Sequence, residues 1–289
     1  MQQITGKTKL LGIIGNPVEH SLSPVMHNSA IASLGLDYIY VPFPVKPGDL
    51  ATALAGFKAV NLMGFSITIP HKQEIIPLLT EISEDAANIG AVNTVWRTAS
   101  GWKGTNTDAE GFVAPLKIMN RDWSKITPVI LGHGGAARAV IAGLANLGCK
   151  EIHVVGRNID KLARFYQSWS HAPKITGLLK IHNWNNLSSL IPAADLLVNT
   201  TPVGMSPNVE ASPVEASLMQ KLKPTAIAYD LIYTPNPTQF LKLAQAQGII
   251  AIDGLEMLLQ QGVAALQIWL QQPVPVEVMR DSLKKYLGL

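Results

Sequence analysis

The chain has 289 residues, 47% of them hydrophobic and only 15% charged, with a formal net charge of +3. This composition excludes a disordered chain and a highly charged nucleic-acid tail, and the length suggests two domains with sizeable cores. The one cysteine, Cys149, excludes an intrachain disulfide, so a reducing cytoplasm is the expected compartment and a structural thiol the expected role.

No run of basic residues points to DNA or RNA as a partner. No stretch reaches the ~18 uninterrupted apolar residues of a membrane span, and residues 1–10 carry no apolar leader core. Gly6-Lys7-Thr8 lacks the upstream glycine and strand of a phosphate-binding loop.

In chain order, residues 9–15 read as a strand, followed by a Pro- and Ser-rich loop at 16–24. Helical spacing is expected over 25–34, a strand over 38–44, a helix over 46–57 and a strand over 62–69. A further helix is expected from Glu74 to Leu79, after Pro70. Residues 91–97 and 101–104 read as an antiparallel pair turning at Ala99-Ser100. A connector helix spans about 108–119. A second pattern starts at Pro128, with strands over 151–155, 194–199, 226–231 and 248–252, then closing helices over 255–270 and 276–287. This alternation predicts an α/β protein: a mixed, mostly parallel sheet first, a nucleotide-binding unit second.

Polar residues gather where turns are expected. In Ser21-Leu22-Ser23-Pro24, the two hydroxyls can face one cavity, but local pattern favours Ser23 as a helix cap before Pro24. Ser66 and Thr68 share one strand face, and Lys72 follows at the strand's carboxyl end, where sites of open α/β sheets lie. Lys72 is therefore a candidate for proton transfer as well as a candidate solvated lysine; His71 reads as structural or surface. Asn93 and Asp108 each follow a glycine-containing polar turn, and Asp108 also suits a helix N-cap. The seven histidines show no ligand spacing, so no metal site is expected.

The second pattern carries the strongest motif. The strand at Pro128-Val129-Ile130-Leu131 enters Gly132-His133-Gly134-Gly135-Ala136-Ala137, and an alanine-rich helix leaves it. This is the strand–turn–helix setting of a dinucleotide-binding GxGxx(G/A), with Gly132 for the turn, Gly134 for close approach to a pyrophosphate and Ala137 for helix packing. An NAD site usually carries Asp or Glu about 20 residues further on. Here the next strand ends in Gly156-Arg157-Asn158, with Lys161 following. A guanidinium there can bind a 2′-phosphate bidentately, which predicts NADP rather than NAD.

Taken together, the segments SLSP (21–24), TIPHK (68–72), GAVNT (90–94), NTDAEGF (106–112), GHGGAAR (132–138), NTTPVGM (199–205), YDLIYTPNPT (229–238) and DGLEMLLQQG (253–262) resemble the shikimate dehydrogenase family, in order over nearly the whole chain. The resemblance implies an N-terminal α/β substrate domain with a mixed sheet (1–109, completed by helices at 255–289), a C-terminal Rossmann NADP-binding domain (110–254), and a cleft between them that closes on binding. It implies reversible reduction of 3-dehydroshikimate to shikimate with NADPH, a step of aromatic amino-acid biosynthesis. Ser21 and Ser23 would bind the substrate carboxylate with Tyr233 nearby. Thr68, Asn93, Asp108 and Gln261 would bind its hydroxyls, with Ser66 beside them, and Lys72 and Asp108 would form the catalytic pair. Gly132 to Ala137, Gly156, Arg157, Asn158 and Lys161 would hold NADP. The stretch from Asn199 through Thr200, Thr201, Pro202, Val203 and Gly204 to Met205, with Leu231 and Gly254, would line its nicotinamide end. The chain is also compatible with a homodimer.

Three positions depart from the common family pattern: Ser66 and Gly156 where Asn is frequent, and His133 where Ala is frequent. The alternative reading is a quinate/shikimate dehydrogenase of broader substrate and cofactor range. A regulatory protein without turnover is disfavoured by the presence of both Lys72 and Asp108. Another two-domain NADP enzyme, such as a methylenetetrahydrofolate dehydrogenase, is disfavoured by the serine loop and the Gln261 segment.

Overall fold

A computed structural model describes residues 3–289; Met1 and Gln2 lie outside the described residues. The chain forms two compact units: residues up to Thr107 with Leu259–Leu289, and Asp108–Leu258.

The first unit holds strands β1 (Lys9–Gly15), β2 (Tyr38–Pro44), β3 (Gly64–Ile67), β4 (Glu81–Ile82), β5 (Thr94–Thr98) and β6 (Gly101–Thr105), ordered β2-β1-β3-β5-β6-β4 in one sheet. β1 pairs in parallel with both β2 and β3, whereas β5 pairs antiparallel with β3 and β6. The carboxyl ends of β1, β3 and β6 and the start of β5 therefore share one edge. A core of Phe57, Leu62, Phe65, Ile75, Val95 and Trp102, among others, packs on one face. Trp269, from the long helix Gly254–Leu270, is buried against Gly64 and donates its indole N–H to the Val95 carbonyl at 2.9 Å.

The second unit holds β7 (Pro128–Leu131), β8 (Ile152–Gly156), β9 (Leu179–Asn183), β10 (Leu196–Asn199), β11 (Ile227–Asp230) and β12 (Ile250–Ile252), all parallel, ordered β12-β11-β10-β7-β8-β9. β7, β8, β10 and β11 run as near-continuous buried apolar segments, as expected of a parallel sheet covered on both faces. The chain turns outward on either side of β7, so the strand order reverses there, and ligands of such sheets bind outside the carboxyl ends at this reversal.

Several expectations need correction. The helix expected over 74–79 is only a 3-10 turn, Ile76–Leu78, because Pro77 has no N–H and its ring clashes with a preceding carbonyl. The helix expected from Lys46 starts at Leu50, after Gly48 at φ +91°. β3 stops at Ile67, so Thr68 lies just beyond the strand rather than on Ser66's strand face. The short β4, β9 and the helices Glu84–Ile89 and Gln239–Gln245 were not legible from periodicity. Cys149 is buried, and burial pushes its thiol up to about 11, as suits a structural cysteine.

Candidate active site

At the shared edge of the first sheet, backbone hydrogen bonds bind the polar turns together. Thr68 N–H donates to the Ile14 carbonyl at 2.9 Å and Asn16 N–H to the Ile69 carbonyl at 3.0 Å, which joins the turns after β1 and β3. Lys72, half-buried, accepts at its carbonyl from Val92 N–H at 2.7 Å. His71 is fully buried, with Nε2 2.7 Å from the Val45 carbonyl, so it is structural.

The serine loop overturns the cap reading. The helix runs Ser23–Ser33, Leu22 is its N-cap residue, and no side chain caps it. Ser23 is buried and its N–H donates to Ser21 Oγ at 3.3 Å, with Ser21 half-buried. Ser66 is buried opposite Ile13. On the same sheet face Tyr40 pairs with Leu11, and the Ser66 and Ser23 hydroxyls both face its buried hydroxyl.

Asn93 is buried, and its side chain knits the edge. Its Oδ1 accepts from Thr107 N–H at 2.8 Å and from the Thr94 hydroxyl at 2.9 Å, while its Nδ2 donates to Thr107 Oγ1 at 3.0 Å. Asn106 donates to the Ala91 carbonyl at 3.0 Å. The chain thereby enters the helix Asp108–Lys117 from a rigid stem, with Asp108 its first residue, half-buried, in the turn where a carboxylate complements the dipole. Gln261 lies half-buried on the long helix, next to Gly262, against which Met26 packs.

In the second unit the register Leu131↔Asn199 sets the glycine turn after β7 beside the turn after β10. Gly132 has φ +105°, and a Cβ there would meet Thr200 Oγ1 at 2.8 Å and Thr201 Cγ2 at 3.1 Å. Thr200 donates its hydroxyl to the Leu131 carbonyl at 2.8 Å. Gly134, Gly135 and Ala136 are exposed, and a Cβ at either glycine would meet nothing within 4 Å. That open cradle, at the N-terminus of the helix Gly135–Asn146 with its unpaired N–H groups, fits a pyrophosphate. Ala137 is buried, where its small side chain allows close packing.

Arg157 and Lys161 are exposed at the turn after β8. Asn158 is the N-cap of the helix Ile159–Gln167, its Oδ1 accepting from Lys161 N–H at 2.8 Å, so its side chain is committed to the backbone. Pro202, Val203 and Met205 line an open pocket of about 810 Å³ closed by residues through Ala211, with Gly204 at φ +105°. Tyr233 is half-buried, which raises its phenol above the usual value, and Leu231 is likewise half-buried. A Cβ on Gly254 would collide with the Leu231 carbonyl oxygen, so these two positions touch directly.

Sequence reasoning missed the network that shapes this edge. Asp230, buried at the end of β11, accepts from Thr238 Oγ1 at 2.6 Å, Asn199 Nδ2 at 3.0 Å and Ile232 N–H at 3.1 Å. Asn199 in turn accepts from Thr201 N–H at 3.0 Å and its hydroxyl at 2.7 Å. The available signal was polar residues ending two apolar strands. Burial pushes the Asp230 carboxyl up to about 6, opposed by these hydrogen bonds. An unfolded aspartate ionises near pH 4, so between about pH 4 and 6 the folded chain holds a proton that the unfolded chain releases. The stability contributed by this group is complete below that window and is lost as pH rises through about 6. Urea unfolding across the window should show this decline in the wild type and not in Asp230→Asn; equal pH slopes would remove Asp230 from the titrating groups.

Among the described residues no His, Cys, Asp and Glu cluster is arranged to hold a metal, and no helix is long and apolar enough to cross a membrane.

Residues 13–95 match the family model described as the shikimate dehydrogenase substrate binding domain, 115–258 that of shikimate / quinate 5-dehydrogenase, and 254–284 that of the shikimate 5'-dehydrogenase C-terminal domain. A relative from Gloeothece citriformis, named shikimate dehydrogenase (NADP(+)), is 63% identical over 289 residues, covering 100% of both chains. The chain belongs to the shikimate dehydrogenase family. Among solved members, the shikimate dehydrogenase of Aquifex aeolicus is 36% identical with a TM-score of 0.87, covering 98% of this chain and 100% of that one. A shikimate dehydrogenase solved in complex with NADP+ is 37% identical with a TM-score of 0.88, covering 99% and 98%. The two-unit α/β architecture, mixed sheet and parallel sheet alike, is that of this shikimate dehydrogenase fold.

Proposed function

We propose that this chain catalyses the reversible, NADPH-dependent reduction of 3-dehydroshikimate to shikimate. The observation that carries the reading is full-length identity of 63% to a shikimate dehydrogenase (NADP(+)), in a chain whose Thr68–Lys72 turn, Asn93 and Thr107 meet at the sheet edge from which the serine loop leaves. Residues up to Thr107 with Leu259–Leu289 form the substrate domain, and Asp108–Leu258 the Rossmann domain that holds NADP.

Ser21 and Ser23 take the substrate carboxylate, with Tyr233 assigned to the same end. Ser66, Thr68, Gln261 and Asp108 take the ring hydroxyls. Asn93 acts chiefly by holding Thr107, and with it the start of the Asp108 helix. NADPH, when bound, supplies the hydride to the C3 carbonyl carbon. Negative charge then grows on the carbonyl oxygen. The Lys72 ammonium donates the proton that this oxygen takes, and Asp108 orients the lysine and the new hydroxyl. In the oxidative direction Lys72 recovers that proton. The open glycine cradle takes the pyrophosphate, and Arg157 and Lys161 take the 2′-phosphate.

The test is absorbance at the NADPH band, with shikimate or quinate, each with NADP⁺ or NAD⁺. Reduction confined to shikimate with NADP⁺ is expected. Comparable rates with quinate or NAD⁺ would favour the broader dehydrogenase, and no reduction by protein that binds NADP⁺ would overturn the activity.

A further inference from the structure

His133 and Gly156 are far apart in the chain, yet they form one feature. A Cβ on Gly156 would lie 2.6 Å from His133 Nδ1 and 3.0 Å from its Cε1, so the imidazole occupies the space that any side chain at 156 would need. The ring also meets Phe165 edge-on, with centroids 6.0 Å apart. Phe165 carries the Arg138 guanidinium 5.5 Å from its ring centre. His133 Nδ1 is buried with no hydrogen-bond partner. The imidazole is thus wedged between the glycine turn and the end of β8, directly before Arg157.

The elements around it carry cations, and also Asp160 beside Lys161. Lys161, on the helix after β8, reaches the imidazole with its field; Arg157 follows Gly156; Arg138 stands behind Phe165. Burial first, then Lys161, lowers the His133 pKa, so both disfavour the charged ring. A phosphate dianion at Arg157 and Lys161 would reverse that balance. It would cancel the Lys161 field and offer an acceptor to a charged imidazole, so binding would draw a proton onto the ring.

We propose that His133, held in place by the absence of a side chain at Gly156, is a cofactor-discriminating residue that joins Lys161 in binding the 2′-phosphate of NADP. The proposal rests on the NADP reading above. NADP⁺ binding is coupled to proton uptake at His133, so affinity for NADP⁺, and not for NAD⁺, gains as pH falls from about 8 towards 6.5. The phosphate's own second ionisation, near pH 6, works the other way and is isolated by removing the imidazole.

The experiment is calorimetric titration of the full chain with NADP⁺ and NAD⁺ at both ends of that pH range, in buffers of different ionisation enthalpy, which counts the protons taken up. His133→Ala is expected to weaken NADP⁺ about tenfold at the lower pH, to leave NAD⁺ nearly unchanged and to abolish the proton uptake. His133→Gln, which donates without titrating, should keep part of the preference and lose the uptake. Gly156→Ala should displace the ring and reproduce the loss, and should add nothing in the His133→Ala background. Unchanged proton uptake in His133→Ala, or additive effects of the two substitutions, would overturn the proposal. A wild-type chain that does not favour NADP⁺ over NAD⁺ would overturn the cofactor reading, and this proposal with it.

Discussion

Lys72→Ala is expected to lower turnover by about 10²–10⁴-fold, the range of a lost general acid–base group, while changing shikimate affinity far less. The lysine's backbone position does not depend on its side chain. Its carbonyl accepts from Val92 N–H, and the turn after β3 is tied to the turn after β1 through the Asn16–Ile69 hydrogen bond. The substituted chain should therefore keep the serine loop, Thr68 and the Asn93–Thr107 stem in place and lose only the ammonium. Turnover measured at saturation, beside direct binding of shikimate, separates the two effects. Near-normal turnover with a large loss of affinity would make Lys72 a substrate-holding residue and move the proton transfer elsewhere.

Arg157→Ala should weaken NADP⁺ binding by about 10–100-fold and leave NAD⁺ binding almost untouched. Arg157 is exposed, and the turn that carries it is shaped by other groups: Asn158 caps the following helix, and β8 pairs on both sides with β7 and β9. The loss should then come from the charge and not from the loop. Titration with both dinucleotides decides this. Equal weakening of both would mean that the loop's shape has changed, and unchanged NADP⁺ binding would leave Arg157 an ordinary surface charge.

Much of the fold was legible because its signals are local. The alternation at residues 38–44 gave β2 to the residue, and the apolar runs before Gly132 and Gly156 gave β7 and most of β8. The helix Val276–Leu287 was equally plain from its spacing. Local rules failed where something non-local or a single proline intervened. Pro77 reduced an expected helix to one turn, and the two-residue β4 exists only because β6 is there to pair with it. The cap expected at Ser23 failed for a related reason: the helix begins at Ser23 itself, and the side chain is buried in the same unit as Tyr40 and Ser66.

The sequence by itself determined the α/β class, the glycine turn and the order of the polar turns, because glycine spacing, hydrophobic period and turn composition act on near neighbours along the chain. Only the tertiary structure decided which of those turns meet. Parallel pairing of β1 with β3, and antiparallel pairing of β5 with β3 and β6, bring their polar ends to one edge; no period in the sequence encodes that register. The same holds for Asn199 and Asp230, and for His133 and Gly156. Each pair lies on neighbouring parallel strands, or the turns that leave them, and is brought together by interstrand hydrogen bonds between residues far apart in sequence.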